Sequence, residues 1–255
     1  MFGDKKMLLA LGIVSLAVVA AQAVPLSICD VQYTTDPSGN SPYMDQVVSC
    51  TGGIVINKWL GYKAKLTIFD PANPNAWGGV IVKTAGSEFD SVQVGDWVSF
   101  ADVLIEERSG NTQLSMDVNS IINVVSTGNA LPEPVTITAS SLSEQYESMK
   151  VVVADVEITA MGLGKYVDNY NLQNTIGDYW GGDYMNVDAG GLNHPYVAVG
   201  AVFESVSGIV EHKMSDGWDY YQMLTTGTSD FVVPEPAAII LLATGAVILR
   251  KRRKN

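Results

Sequence analysis

Residues 43–48 read YMDQVV, and residues 146–151 read YESMKV, so Tyr146 stands 103 positions after Tyr43. The same offset separates Trp77-Gly78-Gly79 from Trp180-Gly181-Gly182, and Val94-Gly95 is answered by Val199-Gly200 at 105. Three matches in one order at nearly constant spacing mark an internal repeat of about 100 residues. In each copy the tyrosine segment runs into valines, and a long strand pair is expected after the Val-Gly pair. Pro132-Glu133-Pro134 lies at the join, where two prolines suit a stiff connector.

Within each copy the chain reads as β. Runs rich in Val, Ile, Thr and Tyr alternate with clusters of Gly, Pro, Asn and Asp. The first copy offers Val47 to Cys50, Ile54 to Ile56, Lys65 to Phe69, Val80 to Val82 and Trp97 to Ile105. The second offers Val151 to Val153, Val156 to Thr159, Met185 to Val187 and Phe203 to Val210. One helix is expected over Ala139 to Met149, where Ser140, Ser141 and Ser143 precede Glu144 and Glu147 in a capping-box manner.

Both ends of the chain are read as signals. Lys5 and Lys6 precede the apolar stretch Met7 to Ala21, and Ala21-Gln22-Ala23 offers a cleavage site, so residues 1–23 form a secretory signal. At the other end Pro234-Glu235-Pro236 is followed by the apolar run Ala237 to Leu249 and by Arg250, Lys251, Arg252, Arg253 and Lys254. Thirteen apolar residues fall short of the roughly twenty a spanning helix needs, although flanking valines and snorkelling of Arg250 extend the run. The basic cluster holds the tail cytoplasmic by the positive-inside rule. Leu131-Pro132-Glu133-Pro134 is a control, because strand-like Val135-Thr136-Ile137-Thr138 follows that triplet and no basic cluster does.

Over its last twenty-three residues the chain resembles proteins with the PEP-CTERM sorting signal. That resemblance implies processing by an exosortase-type membrane enzyme, transient insertion through the tail, and delivery to the outer surface or matrix of a Gram-negative bacterium. A permanent tail anchor is the alternative. The body between the signals has a second resemblance. Its matching residues are Val48-Ser49-Cys50-Thr51-Gly52-Gly53-Ile54-Val55, Leu66-Thr67-Ile68-Phe69-Asp70, Val94-Gly95-Asp96-Trp97-Val98 and Gly110-Asn111-Thr112-Gln113-Leu114. This order is similar to the tandem OB-fold modules of bacterial secreted nucleases; in the second copy Ala201 replaces the Asp that follows Val-Gly. The expected architecture is all-β: two tandem five-stranded OB-fold-like barrels over residues 24–129 and 130–233, between a signal peptide and a C-terminal transmembrane sorting helix over 234–255.

Charge narrows the function. The end segments take seven of the fifteen basic residues and two of the twenty-seven acidic ones, which leaves the body at −17 against −12 for the whole chain. A surface of that sign repels phosphate backbones and argues against nucleic acid as a partner. No catalytic residues are assigned. His194 and His212 are the two histidines, neither sits in a metal or general-base motif, and both are read as exposed or structural. Cys29 and Cys50, in neighbouring segments of an exported chain, are expected to form one disulfide.

A ligand surface is expected in the second copy, where aromatic and acidic residues gather. Tyr179, Trp180, Tyr184 and Trp218 are its candidates, because the shared WGG packing does not require the aromatics added beside the second tryptophan. Packing inside a small barrel is the competing reading of these rings. Asp178, Asp183 and Asp188 leave calcium open but lack EF-hand spacing, so no cofactor and no metal are assigned. The expected function is a non-catalytic surface or matrix adaptor that binds exopolysaccharide or another envelope component. A purely structural matrix protein and a single-stranded nucleic-acid-binding accessory of a secreted nuclease system are the alternatives.

Overall fold

A computed structural model describes residues 24–60, 64–158, 175–176, 186–188, 200–215 and 218–234. The described chain is mostly β. In the first half a short helix α1 (Ile28–Gln32) precedes β1 (Val47–Trp59), β2 (Ala64–Phe69), β3 (Gly79–Thr84), β4 (Trp97–Arg108), β5 (Asn111–Ser115) and β6 (Ile121–Ser126). The second half holds β7 (Val135–Thr136), β8 (Lys150–Glu157), β9 (Thr175–Ile176), β10 (Asn186–Asp188), β11 (Val202–Ser215), β12 (Trp218–Leu224) and β13 (Phe231–Val232).

The repeat reappears as repeated topology. In the first sheet β1 pairs with β2, β2 with β3, β3 with β5 in parallel, and β5 with β4. β4 also pairs with β1, so the sheet curls back on its first strand. In the second, β8 pairs with β11, β11 with β12, β12 with β10 in parallel, and β10 with β9. Backbone details repeat as well. Asp45 and Ser148 take φ of 63° and 59°, and Gly52 and Asp155 take 67° and 52°, each pair 103 apart. Asp45 N–H donates to Ile105 O at 2.9 Å as Ser148 N–H donates to Val210 O at 2.8 Å.

The expectation of two closed five-stranded barrels is corrected. β4 is long enough to serve two neighbours on one side: Trp97 to Ala101 pair with β6, Leu104 to Arg108 pair with β5, and Asp102 turns the strand between them at φ 55°. The first sheet therefore has six strands. The second has seven, with β7 beside β8 and β13 beside β11, and among the described residues β8 makes no pairing with β9.

The Gly52-Gly53 pair, which divides two expected strands in the sequence, lies inside β1. A register shift against β4 falls between Cys50 and Gly53, and a Cβ at Gly52 would run into the Val98 carbonyl. Glycine is thus required for a bulge and close approach rather than for a turn. The expected helix over Ala139 to Met149 is two isolated 3₁₀ turns, Ala139–Ser141 and Glu144–Tyr146. No serine side chain caps either turn, and Ser148 at φ 59° ends the segment. Helix α1 does carry a capping box: Ser27 Oγ accepts from Asp30 N at 3.0 Å, and Asp30 Oδ2 accepts from Ser27 N at 2.8 Å.

Each half has its own apolar core. Ile28, Val31, Val55, Leu66, Ile68, Phe89 and Leu114 belong to the first, and Val151, Ile158, Phe203, Val206, Val210 and Met223 to the second. Among the described residues no helix is long and apolar enough to cross a membrane. The signal segment 1–23 and the tail from Glu235 through Pro236 to Arg250, Lys251, Arg252, Arg253 and Lys254 lie outside the described residues.

Candidate functional site

Of the aromatic candidates, Tyr179, Trp180 and Tyr184 lie outside the described residues, and Trp218 begins β12. Of the aspartate trio, Asp178 and Asp183 also lie outside, and Asp188 ends β10. Cys29 and Cys50 are free thiols, so the expected disulfide is corrected. The residue bridged to Cys50 is Leu26, held in parallel by its hydrogen bonds with Ser49 O and Thr51 N, and Ser27 then caps the helix that carries Cys29. Burial pushes the Cys50 thiol up to about 11.

Of the two readings of His212, exposed and structural, the structure bears out the second: the residue is 3% exposed and lies where the two halves meet. The first Trp-Gly-Gly motif builds one side of that junction. Trp77, at φ 61°, donates its backbone N–H to Gln145 O at 2.7 Å, and Tyr33 meets its ring edge-on with centroids 5.4 Å apart. Asp70 shapes the preceding loop by accepting from Ala72 N at 2.9 Å and Asn73 Nδ2 at 3.0 Å. Gly79 lies against the Ser148 backbone so closely that a Cβ would collide with it. Gln32, at the end of α1, donates to Gly79 O at 2.6 Å and to Glu147 Oε1 at 3.3 Å.

The turn between β4 and β5 builds the other side. Gly110 takes φ 86°, and a Cβ there would stand 2.7 Å from the His212 ring. Asn111 clasps the His212 backbone in both directions, with Nδ2 donating to its carbonyl and Oδ1 accepting from its N–H at 3.0 Å. Met214 N–H donates to Ser109 O at 2.9 Å.

Charged groups fill the space between. Glu147, 1% exposed, accepts through Oε1 from Thr112 N at 2.9 Å. Glu107 Oε1 accepts from Thr112 Oγ1 at 2.6 Å and Ser41 N at 2.8 Å. Glu144 Oε2 accepts from the Tyr221 hydroxyl at 2.7 Å and lies 3.6 Å from His212 Nδ1. His212 Nδ1 faces Gly110 O at 3.0 Å, Nε2 faces Asp219 Oδ1 at 2.7 Å, and the ring stacks on Tyr221 with centroids 4.3 Å apart. Both neighbours of the imidazole are acceptors, an arrangement that favours the doubly protonated ring.

Electrostatics follow from that crowding. Burial, and then the neighbouring Glu144 and Glu107 carboxylates, hold Glu147 well above the usual carboxylate range. Burial raises Glu107 as well. For His212, burial pulls downward, but hydrogen bonds with Glu144 and Asp219 outweigh it and the net shift is upward. Tyr221 is raised by burial and by its bond to Glu144. One candidate ligand atom from each of Glu144, Glu147 and His212 lies within 4.8 Å of the others.

The repeat makes this site visible in retrospect. Glu107 on β4 and His212 on β11 are equivalent positions at the 105 offset, and they meet at the junction as unlike charges. Their neighbours stayed alike: Gln113 donates to Glu106, and Gln222 donates to Glu211, each at 3.3 Å. A substitution of imidazole for carboxylate between otherwise matched strands is the signal in the sequence.

No family model matches the chain, and no curated protein does. Several solved structures are similar to it. The tetrameric p202 HIN2 structure shares 17% identity over 42% of this chain at a TM-score of 0.32, and the match spans about half of that chain, 52%. Fission yeast Pot1 with single-stranded DNA shares 12% identity over 82% of this chain and 85% of its own, at a TM-score of 0.37. The OB domain of Ta0387 from Thermoplasma acidophilum shares 20% identity over 34% of this chain and 82% of its own, at 0.25. Likeness at this level carries no function across.

Proposed function

We propose that the chain is an exported, non-catalytic surface or matrix protein, delivered by an exosortase-type system, whose two OB-like units serve as an adaptor for exopolysaccharide. The observation that carries the binding reading is the aromatic corner at the junction. Tyr33 is 54% exposed and stands at 73° to the ring of Trp77, which closes a loop of prolines and asparagines. Trp77 is pinned through its own backbone to Gln145, so the corner is preformed, and a preformed site loses little freedom on binding. Flat aromatic faces pack on the apolar faces of sugar rings, and a body charge of −17 disfavours a phosphate backbone as the ligand. Trp59 at the end of β1, 52% exposed with the Lys65 ammonium 5.9 Å from its ring, is another exposed aromatic of the first unit.

Calorimetric titration of the mature chain with the host's exopolysaccharide tests this reading. Saturable binding that weakens about tenfold or more in Tyr33→Ala, with the fold intact, is expected from loss of about 1–3 kcal/mol of stacking. Absence of sugar binding would leave a structural matrix role. Tight, strongly salt-dependent binding of single-stranded DNA would replace the sugar reading by a nucleic-acid one.

A further inference from the structure

We propose that Glu144, Glu147 and His212 form a divalent-cation site of the zinc class that ties the second unit's entry segment to its strand β11 at the junction. The inference is independent of the sugar-binding reading. Three donor atoms from these side chains already lie within 4.8 Å of one another, between the second unit's entry segment and its strand β11. Zinc bonds of roughly 2.0–2.2 Å in tetrahedral geometry put donors about 3.3–3.6 Å apart, so the widest pair draws together by about 1.5 Å at most.

The second observation is unused bonding capacity. Glu147 Oε2 and Glu144 Oε1 are buried and have no hydrogen-bond partner, and Gln32 Oε1 and Ser148 Oγ beside them are in the same condition. Buried polar atoms are nearly always satisfied. Protonation would only turn Glu147 Oε2 into a buried donor that itself needs an acceptor. A cation satisfies both free oxygens at once. It also offsets the accumulation of Glu107, Glu144, Glu147 and Asp219 around a single imidazole. A buried water is the competing occupant, and it would leave the charge imbalance untouched.

The donor set selects the class of ion. Calcium prefers six to eight oxygens, whereas two carboxylates and an imidazole suit zinc. For His212 to ligate, Nδ1 gives up to solvent the proton it directs at the Gly110 carbonyl, and the lone pair so freed binds the ion, while Asp219 keeps hold of Nε2–H and orients the ring. Burial of Glu147 and His212 makes the site structural, since a substrate could not reach the ion.

The untagged full chain, stripped with chelator, is titrated with zinc chloride and separately with calcium chloride by calorimetry, and its thermal midpoint is read with and without metal. One zinc per chain, a midpoint raised by several degrees, and a 100-fold or greater loss of affinity in Glu147→Gln and His212→Ala are expected. Asp117→Asn, on an exposed turn, should bind as the parent does. Absence of stoichiometric zinc binding, or affinity unchanged in both variants, would overturn the site and leave water as its occupant. If either variant does not fold, the visible spectrum of the parent with one equivalent of cobalt(II) decides. Bands of inner-sphere ligation support the site, and the spectrum of the free aqua ion rejects it.

Discussion

Replacing Asn111 by alanine removes the clasp that joins the β4–β5 turn to β11. The side chain satisfies two backbone groups of His212 at once, donating to its carbonyl and accepting from its N–H at 3.0 Å, and both residues are buried. Alanine keeps the backbone of β5 and its pairing with Arg108 but leaves those two groups without partners. An unsatisfied buried group costs about 1–3 kcal/mol, so the variant should lose about 2–4 kcal/mol once some water entry is allowed. With a urea slope of about 1–3 kcal/mol per molar, the midpoint should fall by roughly 1–2 M. The parent should unfold in one transition monitored by tryptophan fluorescence and by circular dichroism. The variant should separate into two, because the halves have distinct cores and the clasp couples them. Asn123→Ala, on the exposed edge strand β6, is the matched control and should stay within about 0.5 kcal/mol. A change that small in Asn111→Ala, with a single transition retained, would refute the junction as described.

Gly79→Ala should cost about 1–3 kcal/mol by driving a methyl into the Ser148 backbone, whereas Gly128→Ala, at φ 67° with open space around it, should cost about 1 kcal/mol in chemical denaturation. Asp230 is held below the usual carboxylate range: burial opposes this, but the Thr226 N–H at 2.7 Å, the Ser207 hydroxyl at 2.8 Å and Lys150 at 3.1 Å outweigh it. Its contribution is therefore present above the unfolded-state value near about 4 and is lost as pH falls through the folded one, so Asp230→Asn should flatten the acid limb of a stability profile. Thiol labelling of the native chain near pH 8 should be slow at both cysteines and slowest at Cys50, and denaturation without reductant should release two reactive thiols; finding none would restore the disulfide.

The strands were legible because each alternates or runs apolar between turn residues: Lys65 to Phe69, Val80 to Val82 and Trp97 to Ile105 all fall inside strands of the structure. The repeat was legible too, and its Tyr and Val-Gly anchors sit at equivalent left-handed turns and hydrogen bonds. The sixth strand was not, because the second neighbour of β4 depends on a kink at Asp102, a residue with no preference for that conformation strong enough to read. The serine-rich stretch 139–149 shows capping residues competing with the helix they were expected to start, since side-chain hydroxyls there bond one another or nearby carbonyls. Ser27-Ile28-Cys29-Asp30 carried a readable cap that the short length of α1 obscured.

The candidate site divides in the same way. Trp77-Gly78-Gly79 was recognisable as a motif, yet its role follows from what Gly79 touches 69 residues later in the chain, at Ser148. His212 looked ordinary because a strand with charged neighbours gives no hint that its face meets the partner unit. Only superposing the two copies, with Glu107 under His212, exposes the exchange of charge. Pairing across units is a tertiary property, and periodicity within one strand cannot report it.

Delivery to the cell surface is the claim on which the functional account rests, and intact mass spectrometry of the protein recovered from that surface tests it most directly. The account predicts a chain that begins at Val24 and lacks Arg250 to Lys254. A full-length chain retained in the cytoplasm, with Met1 and Asn255 both present, would contradict it.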